Sequence, residues 1–197
     1  MLQYYREGVV YNSGMSKIAE TEERQRIGRI LKGEKAEYAY FVNTYQEKVL
    51  DLVSRIVPDD NDAEELMQDA FVKAYHALKD FDGRSTFLTW VQRIAYHTSL
   101  NHLKRRRQQW LSIDRLPLAE PTDDELPTDN EERILLLETA LDRLPPDELT
   151  LLHLYYYEDR PLREIAYIVD TEPNTLASRL HRIRKKLLVM MTEHKDE

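Results

Sequence analysis

Several features that are common in enzymes and membrane proteins are missing from this chain of 197 residues. It has no cysteine, which excludes a disulfide framework or a thiolate metal site and is typical of a reducing cytoplasm. No apolar run approaches the roughly 18 residues of a membrane helix, and residues 1–14 lack the apolar core of a signal peptide. No HExxH pair, Gly-rich phosphate loop or nucleophile elbow occurs either. His97 and His102 lie about 140° apart around a helix, so they do not converge on one metal. The sequence therefore predicts a cytoplasmic protein without catalytic residues, metal, cofactor or membrane insertion.

Negative charge dominates the composition, but the two signs are separated along the chain. The formal net charge is −8 at pH 7. Residues 114–132 contain eight acids and one arginine, whereas residues 93–107 and 179–186 each contain five lysines or arginines and no acid. Charges act over a Debye length of roughly 8 Å in physiological salt, so local charge governs binding. The two basic stretches are therefore candidates for nucleic-acid contact in spite of the acidic total.

Residues 62–107 are predicted to form two amphipathic helices joined by a short loop. The first helix has an apolar face and a separate acidic stripe, which consists of Asp62, Glu65 and Asp69. In the loop, the hydroxyl of Ser85 or Thr86 is a suitable N-cap for the second helix. The second helix carries an aromatic, apolar face and ends in the basic run at 104–107. The first apolar face consists of Ala63, Leu66, Met67, Ala70, Phe71, Ala74 and Leu78, and the second of Phe87, Trp90, Val91, Ile94, Ala95 and Thr98. An acidic helix beside a basic aromatic helix indicates two partners, a basic protein surface and a nucleic acid.

Residues 1–22 show no helical period, so the sequence predicts a mobile N-terminal tail. Met15 opens a stretch that is a plausible alternative start of translation. A short helix is predicted at Glu23–Lys32, with Gly33 as its C-terminal cap. A longer helix is predicted at Ala36–Val57, where Pro58 ends it. These two helices and the pair at 62–107 make one compact helical domain over residues 23–110.

The rest of the chain predicts a linker and a second helical domain. Residues 111–130 are acidic and rich in proline, and no buried face can be drawn, so they indicate a flexible linker. Residues 131–192 then form a helix at Glu131–Leu144, a helix at Asp147–Tyr157 and a helix-turn-helix with an exposed basic face. The inner stripe of the first of these helices is predicted to be Ile134, Leu135, Leu137, Leu141 and Leu144. The predicted fold class is all-α, with two small helical domains.

The motifs of residues 62–107 resemble region 2 of bacterial sigma factors of the extracytoplasmic-function type. That family has DAEDLVQ and a following phenylalanine, a loop FxGxSxF, the run TWLxRIA and a basic tail. This chain has DAEELMQDAFVKA, FDGRSTF and TWVQRIA in the same order. The last third resembles region 4, whose pattern GTV(K/R)SRL aligns with Asn174–Leu180. The resemblance covers roughly residues 24–190, with the linker matching only in character.

Two positions of the region 4 pattern differ in this chain. Asn174 replaces a glycine, and asparagine also adopts left-handed turn geometry. Ala177 replaces a lysine or arginine that often contacts a base, so one contact is lost.

The resemblance implies a transcription initiation factor that gives RNA polymerase promoter specificity and helps to open the duplex, without enzymatic activity of its own. Its implied partners are promoter DNA, core RNA polymerase (through the clamp coiled coil of the largest subunit and the flap) and an anti-sigma factor. The residues implied in core polymerase binding are Asp62, Glu65, Leu66, Gln68 and Asp69.

Two further sets of residues are implied in DNA contact. The −10 set consists of Phe81, Arg84, Ser85, Thr86, Trp90, Arg93, His97 (often asparagine in the family), Asn101 and Lys104. The −35 set consists of Thr175, Ser178, Arg179, His181, Arg182, Arg184 and Lys185. Stacking on aromatic side chains is worth about 1–3 kcal/mol per base, and duplex opening costs roughly 1.4 kcal/mol per base-pair step. A few captured bases are therefore enough to hold a short melted segment.

Each of these patterns also has a purely structural interpretation. Asp62 can be an N-cap with Glu65 as its capping-box partner, the aromatic residues can be core, and both basic faces can simply be solvated. The linker can be a tether, or its acids can imitate RNA in a basic channel and mask the basic faces. For the whole chain, the alternatives are a helix-turn-helix regulator that acts without polymerase and a helical adaptor with no nucleic-acid role.

Overall fold

Eight α-helices account for most of the chain that the structure describes. This structure is a computed structural model that describes residues 13–107 and 129–193, so the predicted linker lies largely outside the described residues. The helices are α1 Ser13–Leu31, α2 Tyr38–Ser54, α3 Asp60–His76, α4 Phe87–Arg107, α5 Asn130–Asp142, α6 Pro146–Leu152, α7 Leu162–Val169 and α8 Pro173–Glu193. Within the described ranges no β-strand occurs, and no helix combines the length and apolarity that a bilayer-spanning helix needs. The predicted all-α class is confirmed.

Helix α1 begins ten residues earlier than predicted but ends where the sequence indicated. The stretch from Ser13 to Glu22 is helical, although it has no apolar period, because alanine, glutamate and lysine have a high helix propensity. At the other end, the N–H of Gly33 donates to the carbonyl of Ile30 at 2.9 Å and the N–H of Glu34 to that of Arg29 at 3.1 Å. Gly33 has φ +109°, so this is a Schellman motif that requires glycine.

The first domain consists of α1–α4 around an aromatic core. Phe41 of α2 and Phe87 of α4 are buried, and their ring centroids lie 4.2 Å apart. Trp90 packs against Phe87 at 5.8 Å, and Phe81 packs against Trp90 at 5.0 Å. Aromatic pairs at these distances contribute about 0.5–1.5 kcal/mol beyond their buried area. This core therefore holds the loop between α3 and α4 against the start of α4.

In the second domain, the predicted inner stripe of α5 is confirmed only at its C-terminal end. Ile134 is 45% exposed and Leu135 64% exposed, and Leu137 is also exposed, so the prediction that these three face inward is wrong. The predicted Leu144 is buried and the predicted Leu141 is half-buried against the core, while Ala140, outside the predicted stripe, is buried as well. Helix α5 packs against α8. Four consecutive apolar residues at 134–137 surround the helix, so their spacing did not identify the inner side.

The predicted helix-turn-helix is present as α7, a short turn and α8. Buried Ile165 and Ala166 of α7 and Leu176 of α8 belong to the core. The left-handed residue of the turn is Asp170, with φ +57°, whereas Asn174 lies in the first turn of α8. The expectation that Asn174 supplies left-handed geometry is therefore wrong. Asp170 supplies it, as the C-cap of α7.

The two domains contact each other chiefly where α7 packs on α4. Helix α4 thus lies between α2 and α3 on one side and α7 on the other. As a consequence, part of the predicted −10 face of α4 lies inside the molecule.

Candidate functional site

The acidic stripe of Asp62, Glu65 and Asp69 does not supply the N-cap of α3. The N-cap is Asp59, whose carboxylate accepts a hydrogen bond from the N–H of Asp62 at 3.0 Å. A capping box with Asp62 as cap and Glu65 as its partner therefore does not form, and that structural interpretation is wrong. Glu65 and Asp69 are exposed. Their carboxylates are in a position to meet another protein.

The stripe borders a cleft between α3 and α4 of about 230 Å³. Lys73, Asn101 and Arg105 line the cleft together with the stripe, and His102 Nε2 lies 3.5 Å from the carboxylate of Asp62. Of the other residues implied in polymerase contact, Gln68 is exposed and Leu66 is only 6% exposed. Leu66 therefore supports the helix from the core side and presents little surface to a partner.

The loop between α3 and α4 has a defined shape. The carboxylate of Asp82 accepts a hydrogen bond from the N–H of Arg84 at 3.0 Å, and this bond lowers the pKa of Asp82. Gly83 has φ +71°, a value that favours glycine, and its carbonyl accepts a bond from Arg24 at 3.4 Å. Arg84 and Thr86 are exposed, whereas Phe81 and Ser85 are half-buried. The loop lines a pocket of about 510 Å³, which is large enough for a flat ring.

The cap of α4 was predicted to be Ser85 or Thr86, and the structure assigns it to Thr86. The hydroxyl oxygen of Thr86 accepts a hydrogen bond from the N–H of Thr89 at 3.1 Å. We expect Thr86→Ala to lower the free energy of unfolding by about 1 kcal/mol because this N–H loses its partner. Thermal unfolding measures the loss, and Thr86→Ser, which keeps the oxygen, is the control. Equal melting temperatures for the two variants would contradict this role.

The predicted −10 residues of α4 fall into three environments. Trp90 is only 9% exposed and belongs to the aromatic core. Asn101 and Lys104, further along the helix, are exposed. Arg93 and His97 are half-buried beneath the second domain. Burial lowers the pKa of His97, the charges of Arg93 and Lys104 lower it further, and Asp170 opposes them.

Polar residues of both domains meet at this contact. The hydroxyl of Thr89 donates to Glu164 at 2.8 Å, and Arg160 donates to the side-chain oxygen of Gln92 at 2.7 Å. Arg93 donates to the carboxylate of Asp170 at 2.7 Å. Except for Arg93, sequence reasoning missed these residues. No local pattern could have shown them, because the partners are separated by 68–77 positions along the chain.

A second cluster joins α2 to the π-helical turn His153–Tyr157. His153 Nε2 lies 3.7 Å from the carboxylate of Asp51 and 3.4 Å from that of Glu158, so these three groups have the types and spacing of metal ligands. Each carboxylate is also paired with an arginine, Asp51 with Arg55 at 3.0 Å and Glu158 with Arg160 at 2.6 Å. Burial opposes the ionisation of Glu158, but His153 and Arg160 lower its pKa overall. The arrangement is that of an ion-pair cluster across the domain boundary.

Most of the residues predicted to form the basic, DNA-binding face of α8 are exposed to solvent. The exposed members are Thr175, Ser178, His181, Arg182 and Arg184, and the half-buried members are Arg179 and Lys185. Arg179 forms an ion pair with Asp147. Outside the predicted set, Lys186 pairs with Glu148 at 2.9 Å. Both acids lie on α6, so this helix neutralises one side of α8 and leaves the side around Arg182 positive.

Comparison with known proteins gives the same two regions. Residues 41–109 match the family described as Sigma-70 region 2, and residues 134–187 match Sigma-70, region 4. The chain is 32% identical to the RNA polymerase sigma-H factor of Pseudomonas aeruginosa over 86% of its own length and 94% of the relative's. It is 33% identical to the ECF RNA polymerase sigma-E factor of Escherichia coli K12 over 82% of its own length and 90% of the relative's.

A similar fold occurs in a solved structure, the sigma factor RpoE in complex with the anti-sigma factor NepR from Bartonella quintana. The TM-score is 0.56 at 17% identity, over 79% of this chain and 96% of that one. At this identity the likeness concerns the fold alone.

Proposed function

The chain belongs to the sigma-70 family of RNA polymerase sigma factors, of the extracytoplasmic-function type, and from this premise we propose how its surfaces divide the work of initiation. As a sigma factor it binds core RNA polymerase and promoter DNA and directs promoter-specific transcription initiation. Because initiation chemistry belongs to the polymerase, we infer that this chain has no catalytic site and acts in the cytoplasm beside the nucleoid.

The acidic stripe of α3 is proposed as the surface that docks on the basic clamp coiled coil of the polymerase. The observation that carries this assignment is the N-cap at Asp59, which leaves the exposed Glu65 and Asp69 without a role in starting the helix. Complementary charge favours the right partner and a rapid encounter. The stripe and the basic end of α4 belong to one packed domain. A polymerase clamp bound to the stripe therefore lies close to DNA bound at the basic end of α4.

The loop at 81–86 and α4 are proposed to hold the non-template strand of the −10 element. The pocket beside Phe81 has an aromatic wall and three arginines, Arg24, Arg84 and Arg163, which suits a ring with a phosphate next to it. Asn101 and Lys104 continue the same surface in solvent. Trp90 acts from the core, where it supports Phe81.

Helix α8 is proposed to read the −35 element in the major groove. Arg182 is exposed, whereas its neighbours Arg179 and Lys186 are each paired with an acid of α6, so we assign Arg182 to a base edge. We expect Arg182→Ala to cost about 1–3 kcal/mol of promoter binding and to relax preference at one −35 position. Lys186→Ala is the comparison, because Lys186 is already partly neutralised by Glu148. Lys186→Ala should weaken the binding of holoenzyme to all promoter variants by the same factor. Binding of holoenzyme to a set of single-base promoter variants measures both, and identical patterns for the two variants would contradict the assignment.

Transcription from a cognate promoter with purified core polymerase tests the function as a whole. The expected result is a transcript that depends on the promoter, on core polymerase and on this chain together. A helix-turn-helix regulator that acts without polymerase would bind DNA alone and would not direct core polymerase to a start site. That alternative is not favoured, since it does not explain why residues 41–109 match region 2.

An anti-sigma factor is a proposed further partner. The Bartonella quintana sigma factor was solved in complex with one, and the exposed apolar residues Ile134, Leu135 and Leu137 of α5 offer surface for such a protein or for the polymerase flap.

A further inference from the structure

Three side chains that can bind a metal ion meet where α2 of the first domain faces the π-helical turn of the second. Asp51 comes from α2, His153 begins the turn and Glu158 follows it as the C-cap. Their ligand atoms, one ring nitrogen and two carboxylate oxygens, lie within 4.8 Å of one another. Imidazole and carboxylate are both ligands of Zn²⁺ in proteins. The cluster therefore has a set of donors that suits this ion.

The π-helical turn is what brings His153 and Glu158 together. Residues five apart in an α-helix lie about 140° apart around the axis, so their side chains diverge. Here the N–H of Glu158 donates to the carbonyl of His153 at 3.0 Å, a bond between residues five apart that widens the turn. The ring of His153 is also stacked on that of Tyr157, with the centroids 4.9 Å apart, which fixes its orientation. Single π-helical turns are rare and occur frequently at functional sites, so this irregularity is a second observation that points to a ligand.

The separations between the ligand atoms are close to the edges of a zinc tetrahedron. Two ligands bound about 2.0–2.2 Å from a tetrahedral ion lie roughly 3.3–3.6 Å apart. His153 Nε2 lies 3.4 Å from Glu158 Oε1 and 3.7 Å from Asp51 Oδ2. Hydrogen bonds between charged groups of these kinds are shorter, about 2.7–2.9 Å. The remaining edge, between the two carboxylates, is at most 4.8 Å, and rotation of the exposed Asp51 side chain can shorten it.

Two arginines hold the carboxylates from the outside of the cluster. Arg160 donates to Oε2 of Glu158 at 2.6 Å, which leaves Oε1 for a cation. Arg55 donates to Oδ1 of Asp51 at 3.0 Å and makes a longer contact with Oδ2 at 3.3 Å. Carboxylates that bind metals are commonly oriented by such outer hydrogen bonds. The two positive charges also reduce the attraction for a cation, so we expect an ion that binds reversibly.

We propose that Asp51, His153 and Glu158 form a Zn²⁺ site, with a water molecule as the fourth ligand. Zinc takes a water in this position at sites where the protein supplies three ligands. Because the ligands come from two domains, an occupied site links α2 to the π-helical turn and stabilises the folded chain as the zinc concentration rises. Without zinc, the same groups form the ion-pair cluster described above. The site is independent of the function proposed for the chain, since no polymerase or DNA contact enters it.

Direct titration with Zn²⁺ gives the first test. The full chain, without a histidine tag, is titrated calorimetrically in a buffer free of chelators, and the wild type is expected to bind a single ion. Asp51→Asn and His153→Gln should each weaken this binding at least about tenfold, because each removes a ligand. Asp142→Asn and His76→Gln are the matched controls, which make the same changes at exposed positions outside the cluster. Lack of saturable binding by the wild type, or equal affinities for the site variants and their controls, would overturn the proposal.

Thermal unfolding gives the second test, with a variant whose folding is not in question. Asp51 is exposed, so Asp51→Asn leaves the core intact, and circular dichroism checks this. Zn²⁺ should raise the melting temperature of the wild type and of Asp142→Asn, but not that of Asp51→Asn, because a ligand stabilises only the state that binds it. Mg²⁺ at the same concentration is the control ion, since it prefers six oxygen ligands in an octahedron. Equal rises for the two variants, or for the two ions, would overturn the proposal.

Discussion

Replacing Glu65 and Asp69 together with lysine is expected to weaken binding to core RNA polymerase more than about a hundredfold. Like charges brought face to face cost several kcal/mol at a docked interface, and about 1.4 kcal/mol corresponds to a factor of ten. Both side chains are exposed and neither caps α3, so the helical content and the melting temperature should remain close to those of the wild type. Equilibrium binding to purified core polymerase, alongside circular dichroism, measures the two effects separately.

The control for this experiment is Glu22→Lys/Glu47→Lys. It makes the same change in net charge at two exposed positions outside α3. If this control loses as much affinity as the variant in α3, the effect is one of overall charge and the stripe is not a docking surface. If neither loses affinity, the polymerase contacts another part of the domain.

Phe87→Ala is expected to destabilise the first domain by about 3–5 kcal/mol, the usual cost of emptying a buried aromatic site. Phe87 is 1% exposed, and its ring centroid lies within 6.3 Å of those of Phe41, Trp90 and Tyr45. Since a small domain has a total stability of about 5–15 kcal/mol, this loss is a large share of the free energy that keeps the domain folded. Urea unfolding measures the loss.

The variant Phe87→Leu separates stability from function. It fills most of the space and should lose markedly less stability, but it removes the ring that supports Phe81 at 6.1 Å. Promoter opening by the folded Phe87→Leu protein should therefore fall while core binding persists. A loss below about 1 kcal/mol for Phe87→Ala would show that the core repacks around the gap.

The sequence predicted the elements of this fold better than their mutual arrangement. The apolar period of α3, the glycine after α1 and the hydroxyl before α4 are local signals, and each was found in the predicted place. The inner side of α5 was not predictable from a run of four apolar residues, because any orientation of such a helix buries some of them. The contact of Arg160 with Gln92 depends on how the two domains pack together. That packing is determined by residues far apart in the chain, which local patterns do not reveal.

The candidate site shows the same division. Residue types and spacing were sufficient to select an acidic stripe and a basic helix, because charge on one helical face is visible in the sequence. They did not distinguish Trp90, which is buried, from Asn101, which is exposed, since both fit a DNA-binding pattern. Burial of this kind is a property of the packed domain and not of the pattern.

The guanidinium of Arg93, held between the carbonyl of Tyr167 and the carboxylate of Asp170, has a consequence for how this chain can evolve. A side chain that joins two helices through two acceptors is subject to selection for both contacts. Its replacement by lysine would keep the positive charge but would lose the forked geometry that reaches two acceptors at once. Positions 93 and 170 are therefore expected to vary together among descendants of this protein. Asn101 and Lys104, which are exposed, are expected to drift with the promoters that the protein reads.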